Sequence, residues 1–286
     1  MKQWGLGELC KAWWSATLVL LALLLPGIAP AQTPGVALSA EQNAWLDQHR
    51  NQTFTVAFDP FGGVDSFELR GKRYGFLHLL LEDIQKRTGL RLRPADSSGW
   101  DDAYNRFVAG QIDILYGANP TPEREKIMRF TAPAQRYPYV VLAHKDGSVQ
   151  TLGDLDGKRL GVIANDFVLD ALPRSYPNVH FKPMVFADQN MALAALTQGS
   201  IDAFVTSGGG VEVEYLVDNP ELGVIAQLRA ITSDMTLAVL HKDAMLASIL
   251  ERYLDQSKDT AIATMAHDAR QMYNRKALRL SDAELD

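Results

Sequence analysis

Apolar positions change their spacing repeatedly along the chain, and the changes divide it into alternating helices and strands. Leu38–His49 carries Leu38, Ala44, Trp45 and Leu46 behind a Ser39 N-cap and predicts a short leading helix. Thr53–Phe58 alternates β-forming residues and predicts a strand, closed by the loop Asp59-Pro60-Phe61-Gly62-Gly63. From Arg73 to Thr88, Phe76, Leu80, Leu81 and Ile84 keep a helical spacing, and Gly89 stands where a glycine ends a helix. A strand over Leu90–Pro94, a helix over Asp101–Ala109 ended by Gly110, and a short apolar strand over Ile112–Tyr116 follow. Gly117, Asn119 and Pro120 break that strand. Thr121 as N-cap and Pro122 in the first turn then predict a new helix whose N–H groups, with Arg124 nearby, suit an anion such as a carboxylate.

Tyr137–His144 predicts another strand, and the polar run Lys145-Asp146-Gly147-Ser148 marks a boundary between lobes. The alternation then resumes. Strands are expected over Arg159–Ala164, Val179–Phe186 (interrupted by Pro183) and Ala203–Thr206, with helices over Asp166–Leu172, Asn190–Gln198 and Glu212–Val217. Leu222–Ala226 is extended, Met235–His241 is a strong strand, and helices near Ala244–Leu254 and Asp259–Tyr273 precede an acidic tail. Strand–helix–strand at this pitch predicts parallel βαβ units. Gly110-Gln-Ile-Asp113 recurs as Gly199-Ser-Ile-Asp202, each joining a helix end to a buried strand. Ligands in open α/β sheets sit beyond the carboxyl ends of the strands, so two such lobes would face their tips across one cleft.

The first residues change this picture. Lys2 and Lys11 precede the nearly unbroken apolar run Ala12–Leu25, and Ala29-Pro30-Ala31 supplies small residues at a cleavage position. Residues 1–31 therefore read as a secretory signal peptide or an N-terminal membrane anchor, and the remainder as an exported, periplasmic segment. The lone Cys10 lies before the apolar run, so a disulfide framework or cysteine metal site is excluded. A net charge of −6 without a basic patch argues against nucleic acid. The six histidines lack metal-ligand spacing, and no cofactor fingerprint survives inspection: Gly153-Asp-Leu-Asp-Gly157-Lys158 is one residue short of a phosphate loop.

Gly75-Phe76 before a long helix, Thr121-Pro122-Glu123-Arg124, Phe130-Thr131-Ala132-Pro133, Leu155-Asp156-Gly157-Lys158-Arg159-Leu160-Gly161-Val162 and Ile201-Asp202-Ala203 occur in an order that resembles the family 3 periplasmic solute-binding proteins. The leading LSAEQNAWLDQH and the segment MTLAVLHKDAMLASI are similar to the Venus-flytrap sensor modules of bacterial hybrid histidine kinases and cyclic-di-GMP signalling proteins. The resemblance implies an α/β fold of two lobes joined by two crossover strands, near Val140–His144 and Thr232–Leu240. Residues 38–141 would form the first part of lobe 1, 142–234 lobe 2, and 235–286 the return to lobe 1. It implies a non-enzymatic sensor domain binding a small amino-acid-like or carboxylate solute, coupled to membrane-linked signalling domains. The alternatives are a freestanding binding protein serving an ABC permease and a cyclohexadienyl or arogenate dehydratase-like enzyme.

By the same resemblance Arg124 pairs with a ligand carboxylate, Thr121 contacts it, and Asn119 falls where the family places a small hydroxyl residue. Ser207 occupies the position of a frequent ammonium-binding acid, which leaves Asp166, after Asn165, to take a cationic group or to cap a helix. Asp59, Phe61 and Phe67 surround the first strand's exit, where the family places aromatic walls and a polar contact. Tyr116 faces either the cleft or the sheet.

Overall fold

The computed structural model describes residues 35–60, 63–209, 211–258 and 260–278. The segment expected to be a signal peptide or anchor, with Cys10, and also Phe61 and the acidic tail lie outside the described residues. Apolar strands flanked by helices assemble two mixed five-stranded sheets. The first contains β1 (Thr53–Ala57), β4 (Arg91–Pro94), β5 (Ile114–Tyr116), β6 (Met128–Phe130) and β12 (Leu237–Leu240), in the order β4-β1-β5-β12-β6. The second contains β7 (Gln135–His144), β8 (Lys158–Ile163), β9 (Phe181–Phe186), β10 (Ala203–Ser207) and β11 (Leu222–Met235), in the order β11-β7-β10-β8-β9. β1 runs parallel to β4 and β5, and β8 parallel to β9 and β10, as βαβ units require. Pro183 is tolerated because β9 is an edge strand.

The first lobe also holds α1 (Ala40–Gln48), α2 (Phe76–Thr88), α3 (Trp100–Val108), α7 (Ala244–Ser257) and α8 (Ala261–Ala277). Ser39 caps α1 in a reciprocal capping box with Gln42, whose amide also donates to the Ser248 carbonyl and fixes α1 on α7. The second lobe holds α4 (Val168–Ser175), α5 (Gln189–Thr197) and α6 (Val211–Asp218). The chain passes between lobes along β7 and β11, which pair antiparallel from Gln135↔Met235 through Tyr137↔Ser233 into the second sheet. Tyr137 and Met235 pack in the first lobe's core, while Val141 and Leu228 pack in the second's. The crossover therefore lies at residues 135–138 and 232–235, a few residues earlier on the outward strand than the family resemblance implied.

The repeated Gly-x-Ile-Asp is one structural device used twice. Gly110 and Gly199 both adopt left-handed φ (73° and 71°), which glycine reaches without a Cβ penalty. Asp113 then accepts from the Thr55 N–H at 2.7 Å, and Asp202 from the Arg159 N–H at 2.8 Å. Each carboxylate braces the start of the neighbouring parallel strand.

Three local expectations fail. Residues 72–74 form β3 (Lys72–Tyr74), not the start of α2, and pair with β2 (Phe67–Leu69) around Arg70 and Gly71, both at positive φ. Met235–His241 divides at Thr236, whose N–H turns back to the Asp234 carbonyl. No α-helix follows Pro122: the chain makes a single 3-10 turn, Arg124–Lys126, and enters β6. Pairing with β12 (Ala238↔Phe130) outcompetes the local helix-start signal, so the expected helix-dipole anion site is absent there.

Candidate functional site

The carboxyl ends of β1, β5, β8 and β10 converge on one cavity of about 80 Å³ between the lobes. That is room for several waters or part of a compact solute. The first lobe supplies Phe58, Asp59, Asp65, Trp100, Tyr116, Asn119 and Arg124 to its wall, and the second Tyr139, Ile163, Asp166, Phe167, Gln189, Thr206 and Ser207. Ser233 and Met235 reach it from the returning crossover strand.

Arg124 is buried in this wall at 7% exposure. The 3-10 turn that carries it is braced by Thr121, whose Oγ1 accepts the Arg124 N–H at 3.2 Å. Its guanidinium donates from Nη1 to the Asn119 carbonyl (2.8 Å) and from Nη2 across the cleft to the Asn165 carbonyl (2.7 Å). The ring of Tyr104 lies 5.1 Å from Arg124 Cζ and that of Trp100 5.9 Å, within cation–π range. Two of the five N–H groups on a guanidinium are thus used, and its orientation is fixed before any solute is considered.

Asn165 is the second lobe's counterpart. Its left-handed backbone (φ 57°) turns its carbonyl toward both Arg124 and the Trp100 indole N–H, which donates to it at 2.9 Å. The Asn165 amide meanwhile donates to Asp101 at 2.6 Å. Further bonds span the lobes: Gln189 Nε2 to Asp59 (3.0 Å), the Val64 N–H to the Gly209 carbonyl (3.0 Å), and Tyr273 and Lys276 to Glu214. Gln189 also accepts from the Thr206 and Tyr215 hydroxyls, so one buried amide couples β10, α6 and the tip of β1.

Two carboxylates in the wall are electrostatically unusual. Asp65, 5% exposed, accepts on Oδ1 from Tyr116 (2.7 Å) and Tyr137 (3.1 Å). Burial pushes its carboxyl up to about 7, and the two phenols and the charge of Arg270 pull the other way without prevailing. Asp166 is also pushed up by desolvation, against the Val168 N–H, the Tyr139 hydroxyl and the Arg124 charge. It accepts the Val168 N–H at 2.9 Å and the Tyr139 hydroxyl at 2.8 Å, combining a bond to the first N–H of α4 with a place in the cavity, while the residue at the N-cap itself is Phe167.

Of the residues expected at the site, Asp59, Tyr116, Asn119, Arg124, Asp166 and Ser207 come together around the cavity. Asn119 spends its side chain on the crossover strand, donating to the Thr232 carbonyl (2.7 Å) and accepting the Asp234 N–H (3.2 Å). Thr121 lies beside a separate outer depression and acts through Arg124, and Asn165 acts through its carbonyl. Phe67 is in the first lobe's core, edge-on to Tyr273 at 5.3 Å, outside the cavity. Asp65, Trp100, Tyr139 and Gln189 were not expected there. Trp100 had a signal, since an indole needs a partner when buried, but that partner lies 65 residues away in the other lobe.

Two hinged α/β lobes whose strand tips enclose a polar, aromatic-lined cavity define a clamshell solute-binding protein. The chain belongs to the bacterial extracellular solute-binding proteins, family 3, which it matches over residues 55–260. It is 29% identical over 185 residues to a probable histidine-binding protein of Campylobacter jejuni, covering 64% of this chain and 70% of that one. It is 26% identical over 241 residues to the virulence sensor protein BvgS of Bordetella pertussis, covering 82% of this chain but 19% of BvgS. The crystal structure of the B. pertussis BvgS periplasmic domain superposes with a TM-score of 0.72 at 20% identity, over 88% of this chain and 50% of that one. This chain thus spans about a fifth of the sensor relative's length. Among the described residues no helix is long and apolar enough to cross a membrane.

Proposed function

We propose that this chain is the periplasmic input module of a signalling receptor and takes a small amino-acid-like solute into the interlobe cavity. The observation that carries the reading is Arg124: a buried, pre-oriented guanidinium in the cavity wall with N–H groups beyond the two it commits to backbone carbonyls. A solute carboxylate meets these remaining donors, while Asp166 and Ser207 approach from the second lobe. Signalling follows if the solute favours one lobe arrangement, because the cross-lobe bonds through Asn165 and Gln189 would have to break for the lobes to part. Calorimetric titration of the common L-amino acids tests the site, with Arg124→Ala expected to weaken binding at least roughly 10-fold. Unchanged affinity in that variant refutes the assignment.

The sensor reading draws support from the long alignment with BvgS, and the histidine-binding relative keeps a freestanding transport receptor as the second reading. Fractionation of the host separates them. Retention of the polypeptide in the membrane as part of a larger chain supports the sensor, and a small soluble periplasmic species supports transport.

A further inference from the structure

We propose that Asp65, flanked by Tyr116 and Tyr137, is the subsite in the first lobe for a protonated amine on the solute. The inference rests on the reading of the interlobe cavity as the solute site. Asp65 lies in the cavity wall, and both hydrogen bonds that it accepts among the described residues arrive on Oδ1. No side-chain nitrogen or oxygen among the described residues is both sealed and unpartnered, so Oδ2, which takes no bond there, retains accessible surface. An acceptor on a nearly buried carboxylate, bordering a cavity, matches an ammonium donor.

The surroundings select the same chemistry. Among the described residues of the cavity wall Arg124 is the one basic side chain and Asp59, Asp65 and Asp166 are acidic, so the wall offers acceptors for a donor on the solute as well as donors for its carboxylate. Phe58, Trp100, Tyr116, Tyr139 and Phe167 supply aromatic surface, which favours an organic cation over a metal ion or water. The groups acting on Asp65 are Tyr116 from β5, Tyr137 from β7 and the exposed Arg270 from α8, and Arg270 makes no hydrogen bond to it. With the carboxyl near 7, an arriving ammonium pulls it back to the ionised form, and binding at neutral pH releases a fraction of a proton.

Position adds a consequence for closure. Asp65 ends the short 3-10 turn Gly63–Asp65, and the preceding Val64 N–H donates across the lobes to Gly209. An amine held here is therefore next to the seam that opening must break.

The experiment compares each common L-amino acid that binds with its des-amino carboxylic acids, in which hydrogen replaces each amine in turn. Calorimetry is run at pH 7 in two buffers of different ionisation enthalpy, on the full chain and on Asp65→Asn. Removal of one particular amine is expected to weaken binding at least roughly 10-fold and to abolish proton release, and Asp65→Asn to reproduce both losses. Des-amino acids that bind as tightly as their parents, or an amine preference that survives Asp65→Asn, overturn the subsite while leaving the carboxylate site standing. Failure of every amino acid to bind overturns the reading of the cavity itself, and the subsite with it.

Discussion

Replacing Asp65 by asparagine should make the protein more stable, by an amount that grows as pH rises from the range where the unfolded carboxyl ionises to the range where the native one does. The substitution keeps an Oδ1 acceptor for the Tyr116 and Tyr137 hydroxyls and removes the charge. In the unfolded chain the carboxyl titrates near 3.8, and in the folded protein near 7. Between those values the native state holds a proton that the unfolded state has lost, so stability falls as pH rises through this window. At about 1.4 kcal/mol per unit, the wild type loses about 4 kcal/mol by pH 8 and about 2 kcal/mol by pH 5. The asparagine variant carries no such term. Urea unfolding at both pH values should therefore find Asp65→Asn more stable by roughly 4 kcal/mol at pH 8, with the advantage shrinking by roughly 2–3 kcal/mol at pH 5. An advantage independent of pH, or a variant less stable than the wild type at pH 8, would refute the account of Asp65. A penalty of this size is a large share of ordinary folding stability, and a charge kept at such cost is the kind of feature binding sites retain.

Other predictions concern the parts that hold the site. Gly75→Ala drives a Cβ into the Asp65 carbonyl oxygen at φ 126°, so a loss of more than about 2 kcal/mol is expected in chemical denaturation. Gln189→Ala removes one partner each from Asp59, Thr206 and Tyr215; about 1–3 kcal/mol of stability should be lost, and small-angle scattering should show a more open pair of lobes. An unchanged scattering profile would contradict its role across the cleft.

Much of the fold was legible because its signals are local. Gly89 and Gly110 end helices where the sequence places them, and the two Gly-x-Ile-Asp segments mark equivalent strand entries in the two sheets. The hairpin around Arg70-Gly71 was missed because its strands are three residues each, too short for alternation to register. The helix expected at Thr121 failed for the opposite reason: its start signal is sound, but Met128–Phe130 gains more by pairing with β12. At the site, Arg124 could be found from its motif, whereas Asp65 sits in a loop without periodicity and Gln189 at a helix start. Their importance comes from partners 51 and 130 residues distant, which one-dimensional spacing does not reveal.

The central claim, that Arg124 receives the carboxylate of a solute held between the lobes, is tested most directly by removing that carboxylate alone. For the tightest-binding amino acid, its affinity is compared by calorimetry with that of its decarboxylated amine. The account predicts at least roughly 10-fold weaker binding of the amine to the wild type, and little difference between the two compounds in Arg124→Ala. A decarboxylated amine that binds the wild type as tightly as its parent would contradict it.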